Sequence, residues 1–371
     1  VVSGPMVYIG FGLLAGPVFL GWLDMDAGST ELRVIADLTL ALVLFLDAAN
    51  ANLNVLRRFR GLPTRMLLVG LPLAIVGGIG VGALVFDDLG FYQLAILATM
   101  LAATDAALGK AVITNEHVPE KLREGLNVES GLNDGICVPI LLLFIALATG
   151  HEKADDSSAL AVELVLREIG VGLGVGIVLA LVGRELIRRV HALGWLSPVW
   201  AQVPVMALAI ACFALAQTLH GSGYIASFAG GLMFGFLTRG KAHELVEDAE
   251  GVAETLAMLT WVVFGAIVVG KYWVLFTWEV VLYALLSLTV VRMLPMYLAL
   301  VGSDVPLAQH LFLGWFGPRG LASIVFAVIV LGYDVPGGGT ILATVVCTVI
   351  FSVVLHGLTA NPLARRIAAR S

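Results

Sequence analysis

Residues 129–134 read Glu-Ser-Gly-Leu-Asn-Asp, two carboxylates, a hydroxyl and an amide inside an apolar stretch that otherwise has the marks of a membrane span. A charged side chain at the centre of a bilayer costs about 2.5–3.5 kcal/mol on insertion scales, so ionisable groups there usually face a cavity and act on something. On a helix, Glu129 and Asn133 share one face, and Ser130 and Asp134 share the adjacent one. A dehydrated Na⁺ or K⁺ takes several oxygen ligands, and Asp134, the Ser130 hydroxyl and backbone carbonyls are groups of that kind. The competing reading is a structural hydrogen-bond network that glues helices together. Two carboxylates with no cation in the same segment favour ion handling.

Two further segments carry charge amid helix-weakening residues. Thr104-Asp105 sits in an apolar run, and side chains of these types compete for backbone hydrogen bonds. At mid-membrane depth that predicts an unwound point whose freed carbonyls line a cavity; a polar loop between two short spans is the alternative. Gly314-Trp315-Phe316-Gly317-Pro318-Arg319-Gly320 matches it later in the chain, with Pro318 removing a donor. Half-helix ends carry about half an elementary charge. Asp105 suits a positive N-terminal end, and Arg319 a negative C-terminal one.

The elements that must position these groups follow from composition. The 371 residues are 59% apolar and only 13% charged, against about 25% charged in soluble proteins. That excludes a water-facing surface and predicts an all-α polytopic membrane protein, its partner the lipid bilayer. At about 20 apolar residues per crossing, twelve spans are read: 4–23, 32–52, 65–87, 91–113, 123–149, 160–187, 197–219, 223–238, 248–270, 276–302, 308–332 and 338–360. The tenth is interrupted by Arg292 and Pro295. Fifteen Lys and Arg fall on one side, among them Arg57, Arg58, Arg60, Arg65, Arg184, Arg239, Lys241 and Arg370, and three on the other, Arg33, Lys153 and Lys271. The crowded side is expected to be cytoplasmic, with both ends of the chain on it. The chain opens on Val-Val, so something is expected to precede residue 1.

Cys137, Cys212 and Cys347 lie in apolar runs without metal-like spacing and are expected to pack. The glycine runs at 77–82 and 170–176 imitate nucleotide loops, but no strand precedes them, so they are read as close helix contacts. No enzyme chemistry, cofactor or nucleic-acid partner is expected.

An internal repeat is visible. Tyr8-Ile9 precedes Gly12 and Gly16 in the first span; Tyr224-Ile225 precedes Gly231 and Gly235 in the eighth. Seven spans apart, the two run in opposite directions, as in inverted-repeat transporters. The units expected are 1–150, a first repeat; 151–194, a linker span; and 195–371, a second repeat.

Thr-Asp in one span, Glu-Ser-x-x-Asn-Asp in the next and Arg-Gly in a late interrupted span resemble the monovalent cation/proton antiporter superfamily. Within it they resemble the electroneutral sodium/proton exchanger branch, which carries Asn-Asp. The resemblance covers essentially the whole chain. It implies an inverted-repeat antiporter fold with two interrupted crossing helices, a homodimer and a bacterial-type inner membrane, with the family's first span missing here. By position it implies that Asp134 binds the cation (Na⁺ first, K⁺ or Li⁺ otherwise) or H⁺, with Ser130 and Thr104 as further cation ligands. Asn133 would bridge the crossing with Thr104 and Asp105. Glu129 would pair with Arg292, Asp105 and Arg319 would compensate the broken helices, and Asp47 would lie near the ion. The activity implied is exchange of one cation for one proton by alternating access at Asp134. A sodium-coupled carrier of an organic solute, and a non-transporting membrane sensor or assembly subunit, are the alternatives.

Overall fold

A computed structural model of the chain describes residues 3–23, 29–51, 61–105, 108, 110–113, 115, 118–150, 157–194, 200, 202–238 and 242–368. Of the basic residues behind the expected orientation, Arg57, Arg58, Arg60, Lys153, Arg239, Lys241 and Arg370 lie outside them. Every regular element among the described residues is helical. In order they are α1 (Gly4–Ala15), α2 (Thr30–Asn50), α3 (Leu62–Val85), α4 (Phe91–Met100), α5 (Lys110–Ile113), α6 (Glu120–Gly150), α7 (Ser157–Ala192) and α8 (Gln202–Thr218). Then come α9 (Gly223–Thr238), α10 (Ala242–Val263), α11 (Trp278–Leu288), α12 (Val290–Leu300), α13 (Leu307–Trp315), α14 (Leu321–Leu331) and α15 (Gly338–Ala368). α3 includes a π-helical turn, Met66–Gly70, and α10 runs on into another, Phe264–Val269.

Helix falls within each of the twelve expected segments. Six segments among the described residues are by themselves long and apolar enough to cross a membrane: those of α3, α6, α7, α10 with its extension, α11 joined to α12, and α15. Two expectations are corrected in detail. The first segment, expected as 4–23, is helical only to Ala15, where Gly16 turns extended before Pro17. The tenth breaks at Thr289 rather than at Arg292 or Pro295. Pro295 sits inside α12, and its missing N–H and ring disturb the turn that precedes it.

Packing repeats itself in a way that explains the glycine pairs. α1 lies against α10 and its π-helical extension, and α9 lies against α2. A Cβ at Gly12 would collide with the Val262 carbonyl, and one at Gly16 would stand 2.6 Å from that of Ala266. In the same manner a Cβ at Gly231 would strike the Phe45 carbonyl, and one at Gly235 that of Ala49. Four-residue spacing puts both glycines of each pair on one helix face, and absence of a side chain lets the backbones touch. If α1 corresponds to α9 and α2 to α10, the α1–α10 contact becomes the α9–α2 contact when the halves are exchanged. That is the behaviour of a two-fold internal repeat.

The chemistry-bearing residues lie where α4 and α13 stop short. α6 packs against α4, α2 and α9, and α14 packs against α2, α4 and α15. The two interruptions, residues 101–105 and 316–320, therefore meet in the interior, between α6 on one side and α15 on another.

Candidate functional site: the crossing of two broken helices

A helix that stops inside a protein leaves its last carbonyls and first amides without helical partners, and in a membrane interior each must be satisfied from nearby. Here the two breaks satisfy one another. The Arg319 guanidinium, fully buried, donates through Nη1 to the carbonyls of Ala102 at 3.1 Å and Ala103 at 3.2 Å, at the negative end of α4. The Ser323 hydroxyl donates to the Met100 carbonyl at 2.9 Å. At the positive end of α14, the Leu321 amide donates to Asp105 Oδ2 at 2.8 Å, while the Leu108 amide donates to Asp105 Oδ1 at 3.3 Å. The Asp105 amide donates to the Pro318 carbonyl at 2.8 Å, joining the two unwound strands of backbone directly. Gly320 is obligatory at this junction, because a Cβ would overlap the Asp105 carboxylate and stand 2.6 Å from its Cγ.

α6 supplies the second layer. Asn133 spans the gap to the first break: its Oδ1 accepts the Thr104 amide at 3.4 Å, and its Nδ2 donates to Thr104 Oγ1 and, at 3.1 Å, to Glu129 Oε1. Thr104 Oγ1 also lies 3.1 Å from Ser130 Oγ and 3.4 Å from Glu129 Oε2. Glu129, with no solvent exposure, receives Arg292 from α12 in a two-point pair, Nη1 to Oε1 at 2.9 Å and Nη2 to Oε2 at 3.0 Å. The Arg292 guanidinium in turn fills the space beside Gly317, where a Cβ would collide with its Nε. Thr104, Glu129, Ser130 and Asn133 thus form one connected cluster with Arg292, and Asp105 and Arg319 form the adjoining one.

Asp134 belongs to none of these ion pairs, although its carboxylate faces the Thr104 backbone N–H. It is 6% exposed, and its Oδ1 has no hydrogen-bond partner among the described residues. Asp47 reaches α6 from the opposite side: its carbonyl and Cβ face Gly131, 3.4 and 3.6 Å from where a Cβ on that glycine would be. Phe228 of α9 presses its ring onto Gly135, immediately after Asp134, leaving no room for a side chain there. A buried acid with one oxygen free of hydrogen bonds and no cationic partner has the means to take either a proton or a bare cation.

Sequence reasoning missed the brace behind the second break. Ser352, His356 and Thr359 of α15 are four and three residues apart, so they form one polar stripe, continuous at four-residue spacing with Thr344 and Thr348. Ser352 Oγ accepts the Arg319 amide at 2.6 Å; His356 Nε2 lies 2.9 Å from the Trp315 carbonyl, the last of α13; Trp315 Nε1 donates to Thr359 Oγ1 at 2.9 Å. Their spacing was the available signal. Also unforeseen were the Tyr224–Asp37 hydrogen bond between α9 and α2 and the Asn50–Glu250 bond between α2 and α10.

Comparison with known proteins fits this geometry. The chain is 25% identical over 368 residues to the K⁺/H⁺ antiporter NhaP of Alkalimonas amylolytica, covering 97% of this chain and 62% of that protein. It is 24% identical over 363 residues, with the same coverages, to the K⁺/H⁺ antiporter NhaP2 of Shewanella sp. strain ANA-3. The chain therefore spans less than two thirds of the length of these curated relatives. Its fold matches that of the sodium proton antiporter MjNhaP1 from Methanocaldococcus jannaschii with a TM-score of 0.78 at 20% identity, over 98% of this chain and 92% of that one. The family model described as sodium/hydrogen exchanger, transmembrane, matches residues 2–366. This chain, with its inverted repeat and crossed broken helices, belongs to the sodium/hydrogen exchanger transmembrane family.

Proposed function

We propose that the chain exchanges a monovalent cation for H⁺ across a membrane, one for one, with Asp134 as the group that carries either. The observation that carries this reading is the charge balance of the crossing. Glu129 is matched by Arg292, while Asp105 and Arg319 are each matched by the backbone end they face and offset one another. Of the carboxylate oxygens of these acids, Asp134 Oδ1 is the one buried without a hydrogen-bond partner among the described residues. A buried carboxylate favours its neutralised forms, and a proton or one monovalent cation neutralises it equally. Ser130 and Thr104, 3.1 Å apart at their hydroxyls, supply cation ligands beside it, and Asp47 lies across from α6. Both Na⁺ and K⁺ belong in the test, because the relatives' names divide between them; Na⁺ is the first choice and Li⁺ the third.

The same reading assigns residues 1–150 and 195–371 to the two repeats, with 151–194 linking them. It places both ends of the chain on the cytoplasmic side of a bacterial-type inner membrane, in a homodimer. Purified protein in liposomes tests the activity: an inward cation gradient should dissipate ΔpH with the voltage clamped at zero, and at an unchanged rate when the clamp is moved. Vigorous exchange by Asp134→Asn would remove Asp134 from this role, and a strong dependence on voltage would remove the one-for-one stoichiometry.

A further inference from the structure

The stripe on α15 points to a role that none of the groups above performs. His356 is 1% exposed and Ser352 is fully buried. Nδ1 of His356 lies 3.2 Å from Ser352 Oγ and 2.9 Å from the Ser352 carbonyl; Nε2 lies 2.9 Å from the Trp315 carbonyl. Ser352 Oγ already accepts the Arg319 amide, so its own hydrogen is free to donate. Each ring nitrogen faces a main-chain carbonyl at 2.9 Å, and a neutral imidazole donates to only one of them. The Nε2–H tautomer leaves the Nδ1 lone pair near the Ser352 carbonyl but lets it accept the Ser352 hydroxyl, which completes the chain without a charge. Arg319 N–H donates to Ser352, the Ser352 hydroxyl donates to Nδ1, and Nε2–H donates to the carbonyl that ends α13. The imidazole also stacks at 5.0 Å from the Trp315 ring, which is fixed by Thr359.

These contacts tie the two sides of the second break together. Trp315 is the last residue of α13, and Arg319 is the residue whose guanidinium holds the carbonyls of Ala102 and Ala103 at the first break. Asn133 of α6 does for the first break what Ser352 of α15 does for the second, each accepting the amide of an unwound residue from a neighbouring helix, and His356 backs Ser352. We propose that His356, neutral and protonated on Nε2, is a positioning residue for ion exchange. Acting through Ser352, it sets the register of Arg319 against α4 and so the shape of the crossing that Asp134 faces. This deepens the proposed antiport reading and rests on it for the transport part of its test.

The test compares His356→Leu, His356→Gln and Ser352→Ala with the double variant His356→Leu/Ser352→Ala in liposomes, alongside thermal stability. Leu keeps volume and removes both hydrogen bonds, whereas Gln can still donate to the Trp315 carbonyl. A buried hydrogen bond left half-made is worth about tenfold or more in an equilibrium. His356→Leu should therefore lose about tenfold in maximal exchange rate with little change in cation KM, and His356→Gln should recover most of it. Ser352→Ala should add little to His356→Leu, because both cut one chain. Nitrogen-15 NMR of histidine-labelled wild-type protein should show one neutral Nε2–H imidazole, assigned by its loss in His356→Gln. A full rate in His356→Leu overturns the proposal, as do equal losses in Leu and Gln that merely track thermal stability. An Nδ1–H tautomer at that imidazole overturns it whatever the exchange rates are. If the wild type exchanges nothing, the antiport reading fails by itself, and the tautomer still decides whether the chain of hydrogen bonds exists.

Discussion

Removing one member of the Glu129–Arg292 pair should be far worse than removing both. Glu129 is wholly buried and receives four donors: two from Arg292, one from Asn133 and one from Thr104. Arg292→Met leaves an ionised carboxylate with two neutral donors in a buried site. Glu129→Gln leaves a guanidinium, 1% exposed, without an anion. Breaking a buried pair from one side costs about 3–5 kcal/mol, whereas replacing both partners with neutral groups is often close to neutral. At about 2–4 °C per kcal/mol, each single variant should lower the thermal midpoint by at least about 5 °C. The double variant Glu129→Gln/Arg292→Met, in which Gln still accepts from Asn133, should recover most of that loss. Thermal unfolding in detergent followed by tryptophan fluorescence, with size-exclusion profiles, reads this directly. Additive losses in the double variant, or a midpoint unmoved by Arg292→Met, would show that the pair is not an isolated charge balance and refute the reasoning.

Asp134→Asn should abolish cation-driven proton exchange while keeping the thermal midpoint within about 2 °C, since Oδ1 makes no hydrogen bond to lose; liposome flux and melting curves together check it. Gly320→Ala should displace the Asp105 carboxylate from the Leu321 amide, a charge-assisted bond worth about 1.5–3 kcal/mol, and cut exchange at least tenfold. Gly231→Ala should push α9 off the Phe45 carbonyl and destabilise the protein, whereas Gly77→Ala, with nothing within 4 Å of the new methyl, should leave yield and melting unchanged. A Gly77→Ala variant as damaged as Gly231→Ala would contradict this packing.

Some of the architecture was readable because charge in an apolar segment has few structural solutions. Asp105 and Arg319 each had one plausible partner, a helix end of opposite sign, and each is found on a backbone end of that kind. The Glu129–Arg292 pair was legible through the family resemblance, which put the partner of Glu129 in the tenth segment, where Arg292 is the arginine. The paired glycines of the first and eighth segments were visible as a repeat, although not what each would touch. What stayed hidden depends on backbone geometry. The break at Thr289 falls six residues, nearly two turns, before Pro295, at a residue whose type does not announce it. The end of α1 at Ala15 follows Gly16-Pro17, too short a signal to read against an apolar run. Ser352, His356 and Thr359 were legible as a stripe but not as a brace, since their partners are main-chain atoms that carry no sequence signature.

The two breaks are related by the repeat, yet their bracing helices are not alike, and that difference is where function enters. α15 meets its break with Ser352 and His356, which contact each other and reach the Arg319 amide and the Trp315 carbonyl. α6 meets its break with Asn133, backs it with the Glu129–Arg292 pair, and then adds Asp134, which pairs with nothing at Oδ1. A purely structural crossing would be complete without that last residue, because every backbone group named at the junction already has a partner and the two fixed cations match the two other acids. An uncompensated acid retained there is costly in a low-dielectric interior. The cost is relieved whenever a proton or a monovalent cation binds, and returns when it leaves. On the proposed reading the carboxylate is tolerated for that reason: it makes the empty crossing the unfavourable state, so that the core moves only when one ion or the other is aboard.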